Sequence, residues 1–243
     1  MPNQTQNSVI NPLILITGAS RGIGRALSLA LAQAGFQLIL LARSIPALNT
    51  LYEEILSLKT APAPYLYPMN LINAQLQDYE NLAAQIKHEF GRLDGLILNA
   101  GAAGHLSPLE HHPEEQWFTS LQLNLTSKWL LIKHLLPLLK QSKDAHIVFN
   151  INQAAKNKAF WGAYGLAQSA TSNLAQTLKA ELEAFRHIQI HEVYPKPTGT
   201  HLRREAFPAE NADSLLKPEE AAIQHFMPIF CMAMPHLFQT SST

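Results

Sequence analysis

The chain of 243 residues, of which 47% are hydrophobic, is long enough to bury the core of one large domain or of two small ones, and its composition argues against disorder. Its 18 basic and 18 acidic residues give a formal net charge of zero, which argues against nucleic acid as an obligate partner because phosphate binding needs a basic excess. Cys231 is the single cysteine, so no intrachain disulfide forms and the chain suits a reducing compartment.

Short apolar runs alternate with longer amphipathic segments along the chain, which is typical of parallel strands joined by right-handed helical crossovers. We therefore predict an α/β fold of Rossmann type, with a doubly wound parallel sheet between two layers of helices. The predicted strands are 12–18, 36–43, 63–71, 93–101, 145–152 and 188–195, and the predicted helices are 20–35, 45–58, 76–90, 113–142 and 164–185.

The organisation of the chain is simple, since it contains no repeat, low-complexity segment or convincing linker. We expect residues 1–243 to form a single domain. The polar start MPNQTQNSVIN lacks the basic and apolar regions of a signal peptide, and no apolar run reaches the length of a membrane span. We therefore expect a cytoplasmic protein that has no membrane partner.

The segment TGASRGIG, residues 17–24, joins the first predicted strand to the first predicted helix. Glycines at such a junction permit a tight turn, let backbone amides approach a pyrophosphate, and let the helix pack closely on the strand. The free amides at the helix N-terminus then favour an anion. An ordinary glycine-rich turn is the alternative, but the position between strand and helix favours a dinucleotide site.

Two arginines indicate which dinucleotide binds. A site for NAD usually has an acidic residue after the second strand, where it binds the ribose hydroxyls. Here that position holds Arg43, and Arg21 lies in the glycine loop. Two guanidinium groups can clamp a 2′-phosphate, so we expect NADP(H) rather than NAD(H). The alternative is that either arginine is simply solvated.

Four segments in a fixed order resemble the classical short-chain dehydrogenase/reductase family, often abbreviated SDR. They are TGASRGIG (17–24), NAG (99–101), LNLTS (123–127) and WGAYGLAQ (161–168). The shorter segments RLDG, LLPLLK and REAFP resemble its YciK-like bacterial subgroup. The resemblance covers about residues 11 to 225, and it implies an oxidoreductase with the fold predicted above.

The resemblance also implies roles for individual residues. Tyr164 matches the tyrosine that exchanges a proton with the substrate oxygen, and Asn124 matches the asparagine that holds a water of the proton relay. Asn70 takes the place of an aspartate that contacts adenine, and an amide can still hydrogen-bond there. The expected cofactor-binding residues are Thr17, Gly18, Ser20, Arg21, Gly22, Ile23, Gly24, Arg43, Asn70, Leu71, Asn99, Ala100, Gly101, Tyr164, Gln168, Pro195, Thr198 and Thr200.

The first departure from the family is Gln168, which stands where the family has a catalytic lysine. Free tyrosine has a pKa of about 10, and a neighbouring ammonium lowers it by stabilising the phenolate. Glutamine can still hydrogen-bond the nicotinamide ribose, but it is neutral. We therefore expect impaired or atypical acid–base catalysis.

The second departure is the missing catalytic serine, because no serine or threonine occurs between Val148 and Tyr164. Ile151 stands at the literal family spacing. Asn152 takes the place if the loop is one residue shorter, as in the YciK-like pattern. An asparagine amide can donate a hydrogen bond to a carbonyl oxygen, so polarisation of the substrate can persist in altered form.

Further departures lie near the C-terminus. Lys196 replaces a family glycine near the nicotinamide, where it either crowds the pocket or supplies the missing positive charge. The alternative is that the Lys196 side chain is simply solvated, as most lysine side chains are. The segment that begins with PEEAAIQHF at Pro218 is predicted to form a final helix. Six strands are evident along the chain, and the family's usual seventh strand, which would follow this helix, is missing.

Two functions from different classes fit these residues. The first is an NADP(H)-dependent oxidoreductase for a carbonyl or secondary alcohol whose identity the sequence does not give. The second is a non-catalytic, nucleotide-binding pseudoenzyme with a regulatory or scaffold role. We expect no metal site, because His105, His111 and His112 lack a defined ligand spacing and a supporting acid. The family further implies a homodimer or homotetramer built through the helices 113–142 and 164–185.

Overall fold

The computed structural model of the chain describes residues 11–59 and 61–233, and within them six parallel strands form one sheet in the order β3-β2-β1-β4-β5-β6. This arrangement confirms the predicted doubly wound sheet, whose strand order reverses between β1 and β4. The strands are β1 (Leu13–Thr17), β2 (Gln37–Ala42), β3 (Tyr65–Pro68), β4 (Gly95–Leu98), β5 (Ala145–Asn150) and β6 (Ile188–Val193).

Helices cover both faces of the sheet. Among the described residues, no helix has the length and hydropathy needed to span a bilayer. The helices are α1 (Gly22–Gln33), α2 (Ile45–Ser57), α3 (Leu76–Phe90), α4 (Glu114–Leu121), α5 (Ser127–Leu139), α6 (Gly162–Glu181), α7 (His201–Ala206), α8 (Pro218–Ala221) and α9 (Met227–Ala233).

The central strand β1 shows how the sequence specifies this packing. All five of its residues are buried, because helices lie against both faces. Leu13 and Leu15 point into the core that contains α3, α5 and α6, whereas Ile14 and Ile16 point into the core that contains α1 and α2. The alternation of side chains along a strand therefore divides one continuous apolar run between two cores.

The segment predicted as one helix over 113–142 differs from the prediction. A π-helical turn, Gln122–Thr126, separates α4 from α5, and Asn124 lies at its centre. The Asn124 amide donates hydrogen bonds to the backbone oxygens of Ser120 at 3.0 Å and Ala102 at 3.1 Å, so the wider turn lets this side chain reach the loop after β4. Such single π turns concentrate at functional sites.

Two predictions about organisation lie partly beyond this structure. The proposed absence of a seventh strand concerns residues after Ala233, which lie outside the described residues. That residues 1–243 form a single domain stays a prediction.

The carboxylate of Asp94 ties the start of the sheet together. One of its oxygens accepts from the Leu13 backbone at 2.8 Å and from the Arg92 guanidinium at 3.0 Å, and the other accepts from the Ser142 hydroxyl at 2.6 Å. Asp94 is only 6% exposed. One buried carboxylate thus joins β1, the start of β4 and the segment that leads into β5.

A pair of histidines lies on the sheet face covered by α1 and α9. His146 Nδ1 on β5 is 3.0 Å from His191 Nε2 on β6, and the Phe230 ring packs edge-on against His146. Burial, with smaller contributions from the neighbouring His146 and Lys179, lowers the pKa of His191 to about 4 against the opposing effect of Asp144. Burial also lowers the pKa of His146, although Asp144 favours its charged form.

Replacing Asp94 with alanine should destabilise the fold by about 2–4 kcal/mol, because the buried Leu13 amide and the Arg92 guanidinium lose their acceptor. Urea unfolding followed by circular dichroism measures this change. Asp213→Ala is the matched control: Asp213 is exposed and its carboxylate has no partner among the described residues, so the change should stay within about 0.5 kcal/mol. Equal effects of the two substitutions would contradict this role of Asp94.

The histidine pair predicts a loss of stability in mild acid. An unfolded histidine titrates near about pH 6.5, whereas folded His191 titrates near about 4, so the unfolded state binds more protons between these values. The free energy of unfolding should therefore fall as the pH drops below about 6.5. Urea titrations across this window should show a shallower pH dependence for His191→Asn than for the wild type. His88→Asn, at a highly exposed side chain, should leave the slope unchanged.

Candidate functional site

A cavity of about 390 Å³ opens at the carboxyl ends of the strands, where the strand order reverses. Ligands of doubly wound folds bind at this position. Twelve residues predicted from the sequence line it: Gly18, Ser20, Arg21, Gly22, Ile23, Arg43, Asn70, Leu71, Asn99, Ala100, Gly101 and Thr200. The cavity therefore lies where the sequence predicts the dinucleotide.

The glycine loop has the close packing that a pyrophosphate site needs. Gly18 and Gly22 have backbone φ values of 66° and 54°, which residues with a side chain rarely adopt. A Cβ atom on Gly24 would overlap the Gly18 carbonyl oxygen, and a Cβ atom on Gly18 would lie 3.0 Å from the Ala100 Cα. Only glycine permits this approach of α1 to the loops after β1 and β4. Gly24, predicted to be a cofactor-binding residue, is not among the described residues that line the cavity, and it serves this packing behind the cavity instead.

Asn99 and Thr17 join the two loops that form the floor of the cavity. The Thr17 hydroxyl accepts hydrogen bonds from the backbone amides of Asn99 and Ala100, each at 3.0 Å. The Asn99 amide donates to the Thr17 carbonyl oxygen at 3.0 Å and accepts from the Asn150 side chain at 2.8 Å. Asn150 also lines the cavity, although the sequence analysis missed it. Its position at the carboxyl end of β5 was the available signal.

Arg21 and Arg43 lie on the wall of the same cavity, beside the N-terminus of α2. Both are exposed, and within the described part of the chain neither guanidinium has an ion-pair partner. Ser44 and Ala47 line the cavity next to them, and the Ser44 hydroxyl caps α2. Two unpaired cations and a helix N-terminus create a positive region that favours a phosphate.

The geometry distinguishes between the two candidates for the missing serine. Ile151 is fully buried in the core, whereas the Asn152 side-chain nitrogen lies 3.4 Å from the Tyr164 hydroxyl. The Asn152 side-chain oxygen accepts from the Ala154 backbone amide at 3.1 Å. This bond fixes the orientation of the amide, so its NH₂ group faces Tyr164. Asn152 is therefore placed to donate a hydrogen bond to an oxygen held at Tyr164.

Gln168 is buried at 3% exposure and lies next to this pair. Its side-chain oxygen accepts a hydrogen bond from the Asn152 backbone amide at 2.9 Å. Its NH₂ group has no partner among the described residues and is available as a donor. The residue at the lysine position thus acts as an acceptor toward the chain, which a lysine ammonium cannot do.

Tyr164 has the environment of a neutral phenol. Burial raises the pKa of Tyr164 to about 12, although the hydrogen bond from Asn152 partly opposes this rise. Trp161 packs against the Tyr164 ring with centroids 5.7 Å apart, and Phe207 packs on Trp161 at the same separation. Since Leu202 of α7 joins the same cluster, the walls around Tyr164 are apolar.

The Asn124 side chain is fully engaged in holding the π-helical turn. Its oxygen accepts from the Ala102 amide at 3.2 Å, and its nitrogen donates to Ala102 and Ser120. Its backbone oxygen accepts from the Thr171 hydroxyl at 3.0 Å. A carbonyl oxygen has two lone pairs, so this backbone oxygen can still accept from a water. The predicted relay role of Asn124 stays a prediction.

The segment after β6 differs from what the sequence suggests. Lys196 is exposed, and within the described residues its ammonium has no hydrogen-bond or ion-pair partner. Pro195 and Thr198 are not among the described residues that line the cavity, and the Thr198 hydroxyl donates to the Lys196 carbonyl oxygen at 2.7 Å. Thr200 does line the cavity, and its hydroxyl caps α7. The rescue of the missing charge by Lys196 has no supporting contact here.

The catalytic candidates lie beside the cavity rather than in its wall. Among the described residues, that wall does not include Tyr164, Gln168 or Asn152. It reaches Leu202, which packs in the apolar cluster around Tyr164. The described residues contain no group of three or more histidine, cysteine, aspartate or glutamate side chains that could hold a metal ion.

Comparison with known proteins gives one family. The sequence profile described as short chain dehydrogenase matches residues 12–211. The uncharacterized oxidoreductase YciK of Escherichia coli K12 is 30% identical over 236 residues, which cover 96% of this chain and 90% of that protein.

Solved structures agree with this relationship. A protein of Pseudomonas syringae assigned to the short-chain dehydrogenases is 40% identical, with a TM-score of 0.85 over 92% of this chain and 88% of that one. A second such protein, from Escherichia coli CFT073 and complexed with NADPH, is 31% identical, with a TM-score of 0.84 over 96% of this chain and 93% of that one.

Proposed function

Because the chain belongs to the short-chain dehydrogenase family, we propose that it is an NADP(H)-dependent oxidoreductase that acts on a carbonyl or secondary alcohol. The observation that carries this proposal is the pair formed by Asn152 and Tyr164, whose polar atoms meet next to a cavity lined by the glycine loop, Arg21 and Arg43. The family serine and lysine are absent, yet a donor and a phenol remain in contact.

The residues around the cavity fit NADP(H). The glycine loop brings backbone amides and the N-terminus of α1 to the place of the pyrophosphate. Arg21 and Arg43 supply unpaired charges for a 2′-phosphate, and Asn70 supplies an amide near the adenine position. The NADPH complex of the Escherichia coli CFT073 protein supports this choice of cofactor.

In this proposal NADPH, when bound, supplies the hydride. Asn152 donates a hydrogen bond to the substrate oxygen and so polarises the carbonyl. Tyr164 donates its phenolic proton to the same oxygen as negative charge develops there. Because the Asn152 side chain donates to the Tyr164 hydroxyl, the phenolic proton is free to point toward the substrate.

The reaction is expected to run more readily as a reduction near neutral pH. A phenol with a pKa of about 12 is protonated under these conditions and can serve as an acid. The reverse reaction needs the phenolate as a base, and no ammonium stabilises it from position 168. The alternative, a non-catalytic nucleotide-binding protein, keeps the cavity and lacks turnover.

The walls around Tyr164 favour a substrate with apolar groups next to its carbonyl. Trp161, Leu202 and Phe207 supply an apolar and partly aromatic surface there. Small polar aldehydes would leave this surface solvated, so we expect lower specificity for them.

The oligomer expected from the family stays a prediction. The helices through which it is expected to form, α4, α5 and α6, carry three exposed large apolar side chains, those of Phe118, Trp129 and Leu166. Exposed apolar groups on these helices are compatible with burial against a second copy. Light scattering on the purified protein measures the number of chains directly.

Arg43→Ala should weaken the binding of NADPH by about 10–100-fold, because it removes a charge-assisted hydrogen bond to the 2′-phosphate. Binding of NADH, which has no such phosphate, should stay unchanged. Quenching of tryptophan fluorescence measures both affinities. Arg186→Ala is the control, since Arg186 is exposed beyond the end of α6. Equal weakening of NADPH and NADH would contradict the phosphate clamp, and no binding of either cofactor would exclude the proposed function.

Turnover tests the function itself, with phenanthrenequinone and nitrobenzaldehyde as apolar probes and glyceraldehyde as a polar one. Tyr164→Phe should lower kcat for the apolar probes by about 10²–10⁴-fold, as expected for the loss of a general acid, whereas Tyr52→Phe should leave it unchanged.

The rate of reduction should vary little between about pH 6 and 9, because the phenol stays protonated below its pKa of about 12. Alcohol oxidation should rise with pH over the same range. A wild-type protein that binds NADPH and turns over no carbonyl would favour the non-catalytic alternative.

A further inference from the structure

The turn that carries Asn152 follows β5 and lies flat against the helix α6. It runs over residues 152–157 and contains a short 3₁₀ segment, Gln153–Ala155. Asn152 reaches Tyr164 from this turn at 3.4 Å, which is a long hydrogen bond. The geometry of this pair therefore depends on what holds the turn against α6.

Gln168 holds the first end of the turn. Its side-chain oxygen accepts from the Asn152 backbone amide at 2.9 Å, and the whole side chain is buried. This bond needs an acceptor on α6. A lysine at position 168 has three donors and no acceptor, so it would leave the Asn152 amide without this partner.

The absence of a side chain at Gly165 on α6 allows the middle of the turn to come close, and Ser169 contacts it. A Cβ atom on Gly165 would lie 2.8 Å from the Ala155 carbonyl oxygen, which is closer than real Cβ contacts. Ala155 is fully buried. The Ser169 hydroxyl lies within 3.4 Å of the Asn157 side-chain oxygen. The turn therefore contacts α6 along most of its length.

Lys156 holds the far end of the turn by contacting Ser172, which lies on α6 one helical turn beyond Gln168. Its ammonium donates to the Ser172 hydroxyl at 3.1 Å, and Ser172, at 2% exposure, donates to the Glu192 carboxylate at 2.5 Å. The Tyr194 hydroxyl donates to the same carboxylate at 2.6 Å, and the Lys156 ammonium lies 5.7 Å from the centre of the Tyr194 ring. The positive charge of Lys156 is thus tied, through Ser172, to a negative charge on β6.

These contacts occur at positions 165, 168, 169 and 172, which recur on one side of a helix. We infer that Gln168 and Lys156 are positioning residues that clamp the two ends of the Asn152 turn onto α6. The inference rests on the proposed function and deepens it. In this chain, position 168 orients the donor Asn152, whereas in the family it supplies a charge.

The clamp predicts that restoring the family lysine at position 168 lowers the activity. Gln168→Lys brings back the family's cation but removes the acceptor for the Asn152 amide. We expect it to lower kcat by about 10–100-fold, because a small displacement of a catalytic group can have an effect of this size. Gln168→Glu keeps an acceptor oxygen for the Asn152 amide, so hydrogen–deuterium exchange over residues 152–157 should stay at the wild-type rate.

The second end of the clamp has its own pair of variants. Lys156→Met removes the donor to Ser172 and should lower kcat by about 10-fold, with an unchanged KM for NADPH. Lys156→Arg keeps a donor and a charge and should restore most of the activity. Lys158→Met, at an exposed lysine two residues further on, is the matched control and should behave as the wild type.

The experiment measures kcat and the KM for NADPH with phenanthrenequinone at saturating cofactor, together with hydrogen–deuterium exchange over residues 152–157. Faster exchange in Gln168→Lys and Lys156→Met, with the expected fall in kcat, supports the clamp. A higher kcat in Gln168→Lys would overturn it, because the missing charge would then be what limits the enzyme. A changed pH profile in Lys156→Met would also overturn it, since it would give Lys156 an electrostatic role.

The exchange measurement separates this inference from the proposed function. If the wild type reduces no carbonyl, the proposed function fails, and exchange alone then decides whether the clamp exists. Unchanged exchange over residues 152–157 in both variants would overturn the clamp even in an active enzyme. Thermal unfolding of each variant identifies a fall in kcat that comes from global instability, and such a result would also count against a local positioning role.

Discussion

The cavity depends on the hydrogen bonds that join the loop after β1 to the loop after β4. The Thr17 hydroxyl and the Asn99 amide make these bonds with backbone groups that would otherwise be buried without partners. Their short reach holds Gly18 against Ala100, which is why no side chain fits between the loops. This close approach forms the floor of the cavity, and Arg21 and Arg43 lie in its wall.

Gln168, a neutral amide, lies beside this cavity at the position where the family has a charge. In low-dielectric surroundings an ammonium next to a phenol would lower the phenol's pKa strongly, and Gln168 cannot do this. What Gln168 does provide is direction, since its oxygen fixes the Asn152 backbone and its amide nitrogen stays available. Compared with the family pattern, the proposed site therefore has a fixed hydrogen-bond donor in place of an electrostatic contribution.

The sequence predicts the fold better than it predicts the details of the site. Buried parallel strands and the glycine loop follow from local patterns, because apolar runs and positive φ values leave clear signals in β1 and at Gly18. The π-helical turn at Asn124 leaves no such signal, since one additional residue in a helical turn does not change the composition. The choice between Ile151 and Asn152 depended on loop length, which only the three-dimensional packing specifies. The link from Lys156 to Ser172 joins residues 16 positions apart and has no local pattern at all.

Loss of the family lysine need not remove the capacity to reduce a carbonyl. A reductive step ends with a proton on the substrate oxygen, and a buried phenol supplies that proton from its resting state. The raised pKa makes Tyr164 a weaker acid, so proton transfer depends more on the negative charge that the substrate oxygen develops. Asn152 stabilises that same charge through a donor held in place before the substrate arrives. In the proposed reaction Tyr164 and Asn152 thus act on one oxygen, so the accuracy with which α6 holds the Asn152 turn should affect the rate.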